Sequence, residues 1–197
     1  MKAIMISIKP KWCAKIMNGE KTIEVRKESV GKAVQKLIDE YGYADIYVYC
    51  CKDGELFYNP LTKKWFATKN RNIKIVHQLS NGVVKFKFRC YKVDDYVYGK
   101  KWSWEIGAPL EGISNDYEYI LKDTCLTDTE LRNYCDDLCF NAIHISDLEI
   151  FDKPKELSEF NHWTDKKIQW YSVGEKVKVM VSLTNAPQNY CYVEIGK

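Results

Sequence analysis

The segment Gly82–Tyr91, GVVKFKFRCY, alternates between apolar and polar side chains along its length. This alternation has the period of a β-strand with one buried face, whereas the apolar residues of an amphipathic helix recur every three or four positions. We predict a strand here, with inward-facing residues Val84, Phe86, Phe88 and Cys90. The chain must therefore build a sheet that packs one of its sides on a core.

Further strands and helices are predicted along the whole chain. Strands are predicted at Ala3–Ile8, Thr22–Arg26, Asp45–Cys51, Glu55–Tyr58, near Trp65, at Ala142–Phe151 (ended by Lys153 and Pro154), Lys176–Leu183 and Tyr190–Ile195. Helices are predicted from Pro10 to Asn18, at Val30–Tyr41, and from the N-cap Thr127. Many strands with a few helices, and no internal repeat, predict a mixed α+β domain with a curved sheet or partial barrel.

Charge is unevenly distributed along the 197 residues of the chain. The net charge is +3, yet residues 1–36 hold nine Lys or Arg against three Glu, which leaves −3 for the remaining residues. Residues 111–160 are acidic, with thirteen Asp or Glu against four Lys or Arg. A basic region on a nearly neutral protein suggests an anionic ligand at one place, although charge alone fits a solvated surface better.

The sequence predicts a cytoplasmic protein with no metal site and no cofactor. No stretch approaches the roughly 20 apolar residues of a membrane span, and the N-terminal MKAIMISIKPKW is predicted to be a strand rather than a signal peptide. The eight cysteines contain no CxxC pair, which is typical of reduced, mostly buried thiols. Cys135 and Cys139 have only His144 nearby as a further ligand, which is too few for zinc. No Ser-His-Asp order, phosphate loop or dinucleotide fingerprint is present.

Three charged residues crowd the short segment GEKTIEVRK that follows the first helix. Strand alternation places Glu24 and Arg26 on the same face, and Lys21 lies just before the strand. An exposed ion pair contributes only about 0–1 kcal/mol. Stability alone is therefore a poor reason for three charges at this corner, and a ligand-binding cleft is the other interpretation.

The pattern Gly19-x-Lys21-x-x-Glu24-x-Arg26, after one strand and one helix, resembles the signature of the ASCH family, whose members have PUA-like folds. Three blocks resemble this family in its order: ISIKPKWCAKIMNGEKTIEVRK, HISDLEIFDKPKELSEF and APQNYCYVE. The resemblance implies one ASCH/PUA-like domain over residues 1–197. The implied fold is a curved β-barrel of mixed sheet, with a short helix packed after the first strand. Additional helices are expected in insertions near 29–44 and 91–121.

The resemblance implies a cleft beside the first helix and the second strand that binds RNA or a modified nucleotide. Some small relatives cleave RNA, and others remove the acetyl group from acetylated cytidine. Lys21 matches the catalytic lysine of the amidohydrolases, whereas Glu24 stands where they have a threonine. Their later catalytic glutamate has no counterpart that we can place. A binding module and a hydrolase that uses Lys21 and Glu24 both remain open.

The predicted ligand-binding residues are Lys9, Trp12, Lys15, Lys21, Glu24 and Arg26. Arg26 offers a planar fork for a phosphate or a base edge. Lys21 supplies a positive charge or, if desolvated, a neutral amine. Glu24 orients Lys21, or acts as a general base toward a 2′-hydroxyl or a water. Trp12 stacks on a base or belongs to the core. Lys9 and Lys15, together with Lys11, contact phosphates near the cleft or are only solvated.

Two more residue pairs share a strand face by their spacing. His144 and Ser146 are both at even positions of one predicted strand, and that face lines the cleft or is buried. Tyr47 and Tyr49 are related in the same way on their own strand.

Overall fold

The computed structural model describes residues 2–69, 78–79, 81–97, 100–103, 108–109, 116–135, 139–170 and 173–195, and the statements below concern these residues. The strands are β1 (Ala3–Ile8), β2 (Ile23–Arg26), β3 (Ala44–Cys50), β4 (Glu55–Asn59), β5 (Lys64–Thr68), β6 (Gln78–Leu79), β7 (Val84–Cys90), β8 (Val93–Val97), β9 (Lys100–Ser103), β10 (Ala108–Pro109), β11 (Phe140–His144), β12 (Ser146–Lys155), β13 (Phe160–Trp170), β14 (Val173–Ser182) and β15 (Tyr190–Ile195). The helices are α1 (Pro10–Met17), α2 (Glu28–Tyr41), α3 (Asp116–Thr124) and α4 (Asp128–Tyr134), with a 3-10 helix at Leu157–Glu159.

The strands form three sheets. A seven-stranded sheet has the order β12-β7-β3-β1-β15-β13-β14, a five-stranded sheet has the order β10-β9-β8-β11-β2, and a three-stranded sheet has the order β5-β4-β6. Strands β1 and β3 are parallel neighbours joined through α1, β2 and α2, whereas β1 and β15 pair antiparallel. The predicted α+β class is confirmed. Closure of these sheets into a barrel is not established by the described strands.

The central strands β1, β3 and β7 of the seven-stranded sheet contribute side chains to core clusters on both faces of the sheet. On one face, residues of β1, β3 and β7 pack against α1 and α2, and this cluster forms the main core. On the other face Tyr47 and Tyr49 pack with Phe160, as their shared strand face predicts. This two-sided burial explains the continuous apolar run of β1, because alternation is expected only when one face of a strand meets water.

The first helix begins and ends where its sequence predicts. Pro10 occupies the first helical turn, where a missing N–H costs nothing, and the buried stripe includes Cys13, Ile16 and Met17. Gly19 then adopts φ of 70°, a left-handed conformation that glycine accepts without a steric penalty. The chain reverses there and enters β2.

Helix α2 covers the region where an insertion was expected, residues 29–44. It contributes Val30, Ala33, Val34 and Leu37 to the main core. Gly31 lies so close to β11 that a Cβ atom at this position would be 2.2 Å from Cγ of Asn141. The second expected insertion, 91–121, forms β8, β9, β10 and the start of α3, and its residues 98–99, 104–107 and 110–115 lie outside the described residues.

A β-bulge in β7 corrects the predicted inward face of that strand. Val48 is opposite Phe86 but Tyr49 is opposite Val84, so Lys85 is the extra residue. Val84 therefore faces the tyrosine side of the sheet, and its predicted place beside Phe86 is wrong. Lys85 is only 1% exposed, and burial lowers the pKa of its ammonium group.

The predicted strand Ala142–Phe151 is in fact two strands in different sheets. His144 ends β11 in the five-stranded sheet, and Ser146 begins β12 in the seven-stranded sheet, so they do not share a strand face. The chain crosses between the sheets at Ile145, whose N–H donates to the carbonyl of Thr22. The predicted stop at Lys153 and Pro154 is also wrong, since β12 continues past them through a register shift.

None of the described helices is both long enough and apolar enough to span a membrane.

Candidate functional site

A pocket of about 600 Å³ lies beside α1 and β2, where the sequence predicts a cleft. The end of β1 and the first turn of α1 form one side, β2 contributes its charged face, and α4 forms the opposite side. The described residues that line it are Ser7, Ile8, Lys9, Trp12, Lys21, Glu24, Val25, Arg26, Cys51, Leu126, Glu130, Asn133, Tyr134, Gln188 and Asn189.

The three charged residues of the motif come together in this pocket as one buried cluster. Lys21, Glu24 and Arg26 are 3%, 7% and 8% exposed. The Nζ atom of Lys21 lies 3.3 Å from Oε2 of Glu24, and Nη2 of Arg26 lies 3.0 Å from Oε1 of the same carboxylate. Glu24 therefore bridges two cations, each through a different carboxylate oxygen.

The Lys21 ammonium is held by three acceptors. It donates to the carbonyl oxygens of Ile23 at 2.7 Å and of Thr124 at 2.9 Å, and its third partner is Glu24. An ammonium group has three N–H donors, so these contacts use all of them. This geometry makes Lys21 an anchor that fixes the carboxylate of Glu24 in the pocket.

Arg26 has spare hydrogen-bonding capacity. Its Nη2 atom donates to the carbonyl of Ser7 at 2.8 Å as well as to Glu24. Its Nε atom is buried and has no hydrogen-bond partner among the described residues. A buried donor without an acceptor is costly, because it has lost its water and gained nothing in return. Among the described residues, the guanidinium group therefore has one buried N–H without an acceptor.

Local backbone contacts explain the spacing of the motif. After Gly19, the N–H groups of Glu20 and Lys21 both donate to the carbonyl of Lys15, so the chain folds tightly under the end of α1. Thr22 then donates its N–H to the carbonyl of Asp123. Lys21 is thereby directed inward before β2 begins, and Glu24 and Arg26 follow on the pocket face of the strand.

Helix α4 is fastened to α1 across the pocket. The Nζ atom of Lys11 lies 2.8 Å from Oε1 of Glu130. It also lies 4.2 Å from the ring centroid of Trp12, so the bridge passes over the indole ring. Lys11, followed by the backbone and side chain of the N-cap residue Thr127, lowers the pKa of Glu130 to about 2. Glu130 closes the capping box of α4 at the same time.

The structure brings together five of the six predicted ligand-binding residues: Lys9, Trp12, Lys21, Glu24 and Arg26 all line the pocket. Lys15 is not among the described lining residues, and its ammonium lies 2.9 Å from Glu20 on the exposed side of α1. The roles of these residues toward a ligand stay predictions.

Sequence reasoning missed the residues that α4 supplies to the pocket. Glu130, Asn133 and Tyr134 are in the helix that was predicted, but nothing in the sequence connects that helix to the motif. The spacing of Glu130 and Tyr134 is i, i+4, which places both on one face, and this was the available signal. Their neighbour Leu126 and the turn residues Gln188 and Asn189 were missed in the same way.

His144 lies outside the pocket lining. Its Nε2 atom is 2.8 Å from Oδ2 of Asp94, so it is a paired histidine at the end of β11. Within the described ranges, no group of three or more His, Cys, Asp and Glu side chains could hold a metal ion.

Comparison with known proteins finds structural similarity to an ASCH protein. No family model matches the sequence, and no curated protein matches it. The structure is similar to the crystal structure of a mutant of ZmASCH from Zymomonas mobilis, with 14% sequence identity and a TM-score of 0.43, over 79% of this chain and 74% of that chain. At this level the match carries no conclusion about activity. The chain thus resembles ASCH proteins by its motif, and a structure comparison also finds it similar to an ASCH protein.

Proposed function

We propose that the chain binds RNA or a modified nucleotide in the pocket formed around the Gly19-x-Lys21-x-x-Glu24-x-Arg26 motif. The single observation that carries this proposal is the charge of the buried cluster. Lys21 and Arg26 are positive and Glu24 is negative, so three nearly buried residues hold a net charge of +1. A phosphate group supplies the charge that the cluster lacks.

Burial makes this imbalance significant. Removing a charged group from water is expensive unless an opposite charge and hydrogen bonds compensate for it. The Nε of Arg26 has no acceptor among the described residues, so the positive charge of the guanidinium group is not fully compensated by the protein groups described around it. Lys9 at the pocket edge adds an exposed positive charge, with its nearest carboxylate, Asp53, at 4.0 Å.

The size of the pocket agrees with a nucleotide ligand. Its volume of about 600 Å³ is within the range of about 300–1,000 Å³ that is typical of small-molecule sites. Among the described lining residues only Lys9, Lys21 and Arg26 are basic, so few phosphates are contacted. We therefore expect a shallow dependence of affinity on salt concentration.

The proposal takes residues 1–197 as one PUA-like domain. In its support, β1 and β15 come from opposite ends of the chain and pair side by side in the seven-stranded sheet. The residues of the motif follow β1 directly, so both ends of the chain help to position the pocket.

The first test compares two arginine variants that carry the same substitution. Arg26→Gln removes one of the pocket cations, and Arg132→Gln removes an exposed arginine of α4 that pairs with Asp128. Binding of a fluorescently labelled single-stranded RNA of six nucleotides is measured by anisotropy. We expect Arg26→Gln to weaken binding about tenfold or more and Arg132→Gln to leave it unchanged. Equal affinities for the two variants would contradict the proposed site, provided that circular dichroism shows both to be folded.

Hydrolysis at the same pocket is the alternative function, favoured by the orientation of Glu24. Its carboxylate lines the pocket and is held in place by two cations, and such positioning is one requirement for a general base toward a bound 2′-hydroxyl or water. Lys21 uses its donors on the protein and orients this base. The wild-type protein and Glu24→Gln are incubated with RNA and separately with acetylated cytidine, and products are identified by mass spectrometry. Product from the wild type alone would establish an enzyme; binding without product would establish a binding module.

A further inference from the structure

Tyr134, the last residue of α4, has its two ends in different environments. The residue is 41% exposed, and it lines the pocket. The pKa of its hydroxyl is raised mainly by burial, while the adjacent Arg26 guanidinium opposes that rise. The hydroxyl group of Tyr134 therefore lies near the charged cluster, whereas part of the residue remains accessible to solvent.

Trp12, the other aromatic residue of the pocket, is already covered. The Lys11 ammonium lies 4.2 Å from its ring centroid, and the indole packs against the main core. A cation held over an aromatic face by Glu130 at 2.8 Å blocks access of a planar ligand to that face. Among the described lining residues, Tyr134 is therefore the aromatic side chain with the more accessible ring.

The position of this ring is fixed by α4. Glu130 lies one helical turn before Tyr134, and its bridge to Lys11 connects the helix with α1. Leu131, which follows Glu130 in the sequence, is fully buried. It anchors the helix in a second core cluster that also contains Ile23 and Val25 of β2. A preorganised ring loses little conformational freedom when a ligand stacks on it.

We propose that Tyr134 is a further ligand-binding residue of the pocket and that an unpaired nucleobase stacks on its ring. This inference rests on the proposed function, because it takes Arg26 as the site of the neighbouring phosphate. Every base has a flat apolar face, so stacking selects for the presence of a base rather than for its identity. In a duplex each base is stacked on its neighbours on both faces, so the ligand is single-stranded.

The test separates the base from the phosphate. A single-stranded RNA of six nucleotides is compared with an abasic strand of the same length, which keeps every phosphate and ribose. Both are titrated into wild type, Tyr134→Leu and Tyr134→Phe. Tyr119→Leu is the matched control, since Tyr119 is a 60% exposed tyrosine of α3 that does not line the pocket. Thermal melting confirms that each variant is folded.

We expect wild type to prefer the intact strand by about 5- to 150-fold, the range of one base–aromatic stacking contact. Tyr134→Leu should bring this preference close to one, whereas Tyr134→Phe and Tyr119→Leu should retain it. Retention of the full preference by Tyr134→Leu would overturn the inference, as would an equal loss of affinity for both strands. If wild-type protein binds the intact and the abasic strand equally, and Arg26→Gln loses this binding, the stacking role of Tyr134 is contradicted and the proposed function is supported. Binding of neither strand would overturn both.

Discussion

The carboxylate of Glu24 lies 3.0 Å from Nη2 of Arg26, and the two residues are 7% and 8% exposed. On its other side the same carboxylate faces Lys21, which is anchored by two backbone carbonyls. Glu24 is thus the only negative charge within a buried cluster of three described residues. Its removal leaves two buried cations without their shared partner, and this has a measurable consequence for stability.

Glu24→Gln should lower the free energy of unfolding by about 3 kcal/mol, which is the lower end of the cost of breaking a buried ion pair from one side. Urea denaturation followed by circular dichroism measures this loss. Glu20→Gln is the matched control, because Glu20 pairs with Lys15 at the surface, and its loss should stay within about 1 kcal/mol. Similar losses of unfolding free energy in Glu24→Gln and Glu20→Gln would show that the charges of Lys21 and Arg26 do not depend on Glu24 for compensation.

Lys9→Gln should weaken RNA binding and reduce its dependence on salt. Lys9 lines the pocket and is exposed, so one lost phosphate contact should lower the slope of log affinity against log salt by about 0.7 for a single strand. Lys15→Gln carries the same change outside the lining and should leave both affinity and slope unaltered. If the salt dependence of affinity changes in Lys15→Gln but not in Lys9→Gln, the phosphates of the RNA contact the side of α1 that carries Lys15.

The bridge between Lys11 and Glu130 should contribute to stability only above acidic pH. The pKa of the Glu130 carboxylate is lowered from 4.5 to about 2. The bridge therefore stabilises the protein above the unfolded pKa of 4.5, and this contribution is lost as the pH falls from 4.5 towards 2. Because both side chains are more than one third exposed, the contribution is expected to stay below about 1 kcal/mol. Melting temperatures of wild type and Glu130→Gln should differ near pH 7 and converge at about pH 2.

Lys11→Met serves as the partner variant for this pH experiment. If Lys11 and Glu130 stabilise each other, either single variant already loses the energy of the bridge. The double variant Lys11→Met/Glu130→Gln should therefore lose less stability than the sum of the losses in the two single variants. Additive losses at both pH values would show that Lys11 and Glu130 do not stabilise each other, and that the capping box alone lowers the pKa.

Gly31→Ala should destabilise the protein, although the same change at an open helix position is stabilising by about 1 kcal/mol. The added Cβ would lie 2.2 Å from Cγ of Asn141, so the side chain of a buried strand residue must move. Overpacking of this kind costs about 1–3 kcal/mol. Ser29→Ala, on the exposed side of α2, is the control and should not lower the melting temperature. Asn141 is opposite Arg26 in register, so RNA affinity should fall as well.

The sequence by itself determined where several strands and helices form and which charged side chains share one face of β2. Alternation predicted β7, Pro10 and Gly19 predicted the ends of α1, and the capping box at Thr127 predicted α4. These features depend on short-range backbone geometry, which a few neighbouring residues control. The motif likewise placed Glu24 and Arg26 on the same face of β2, because alternation along a strand is a local property.

Only the tertiary structure decided which distant residues complete the pocket and how deeply the charges are buried. Tyr134 and Glu130 join Arg26 from more than one hundred positions away, because β11 pairs with β2 and α4 packs beside them. Lys85 becomes buried through a bulge, and His144 separates from Ser146 where the chain changes sheets. Such outcomes depend on long-range strand pairing, which a sequence pattern of period two or 3.6 does not encode.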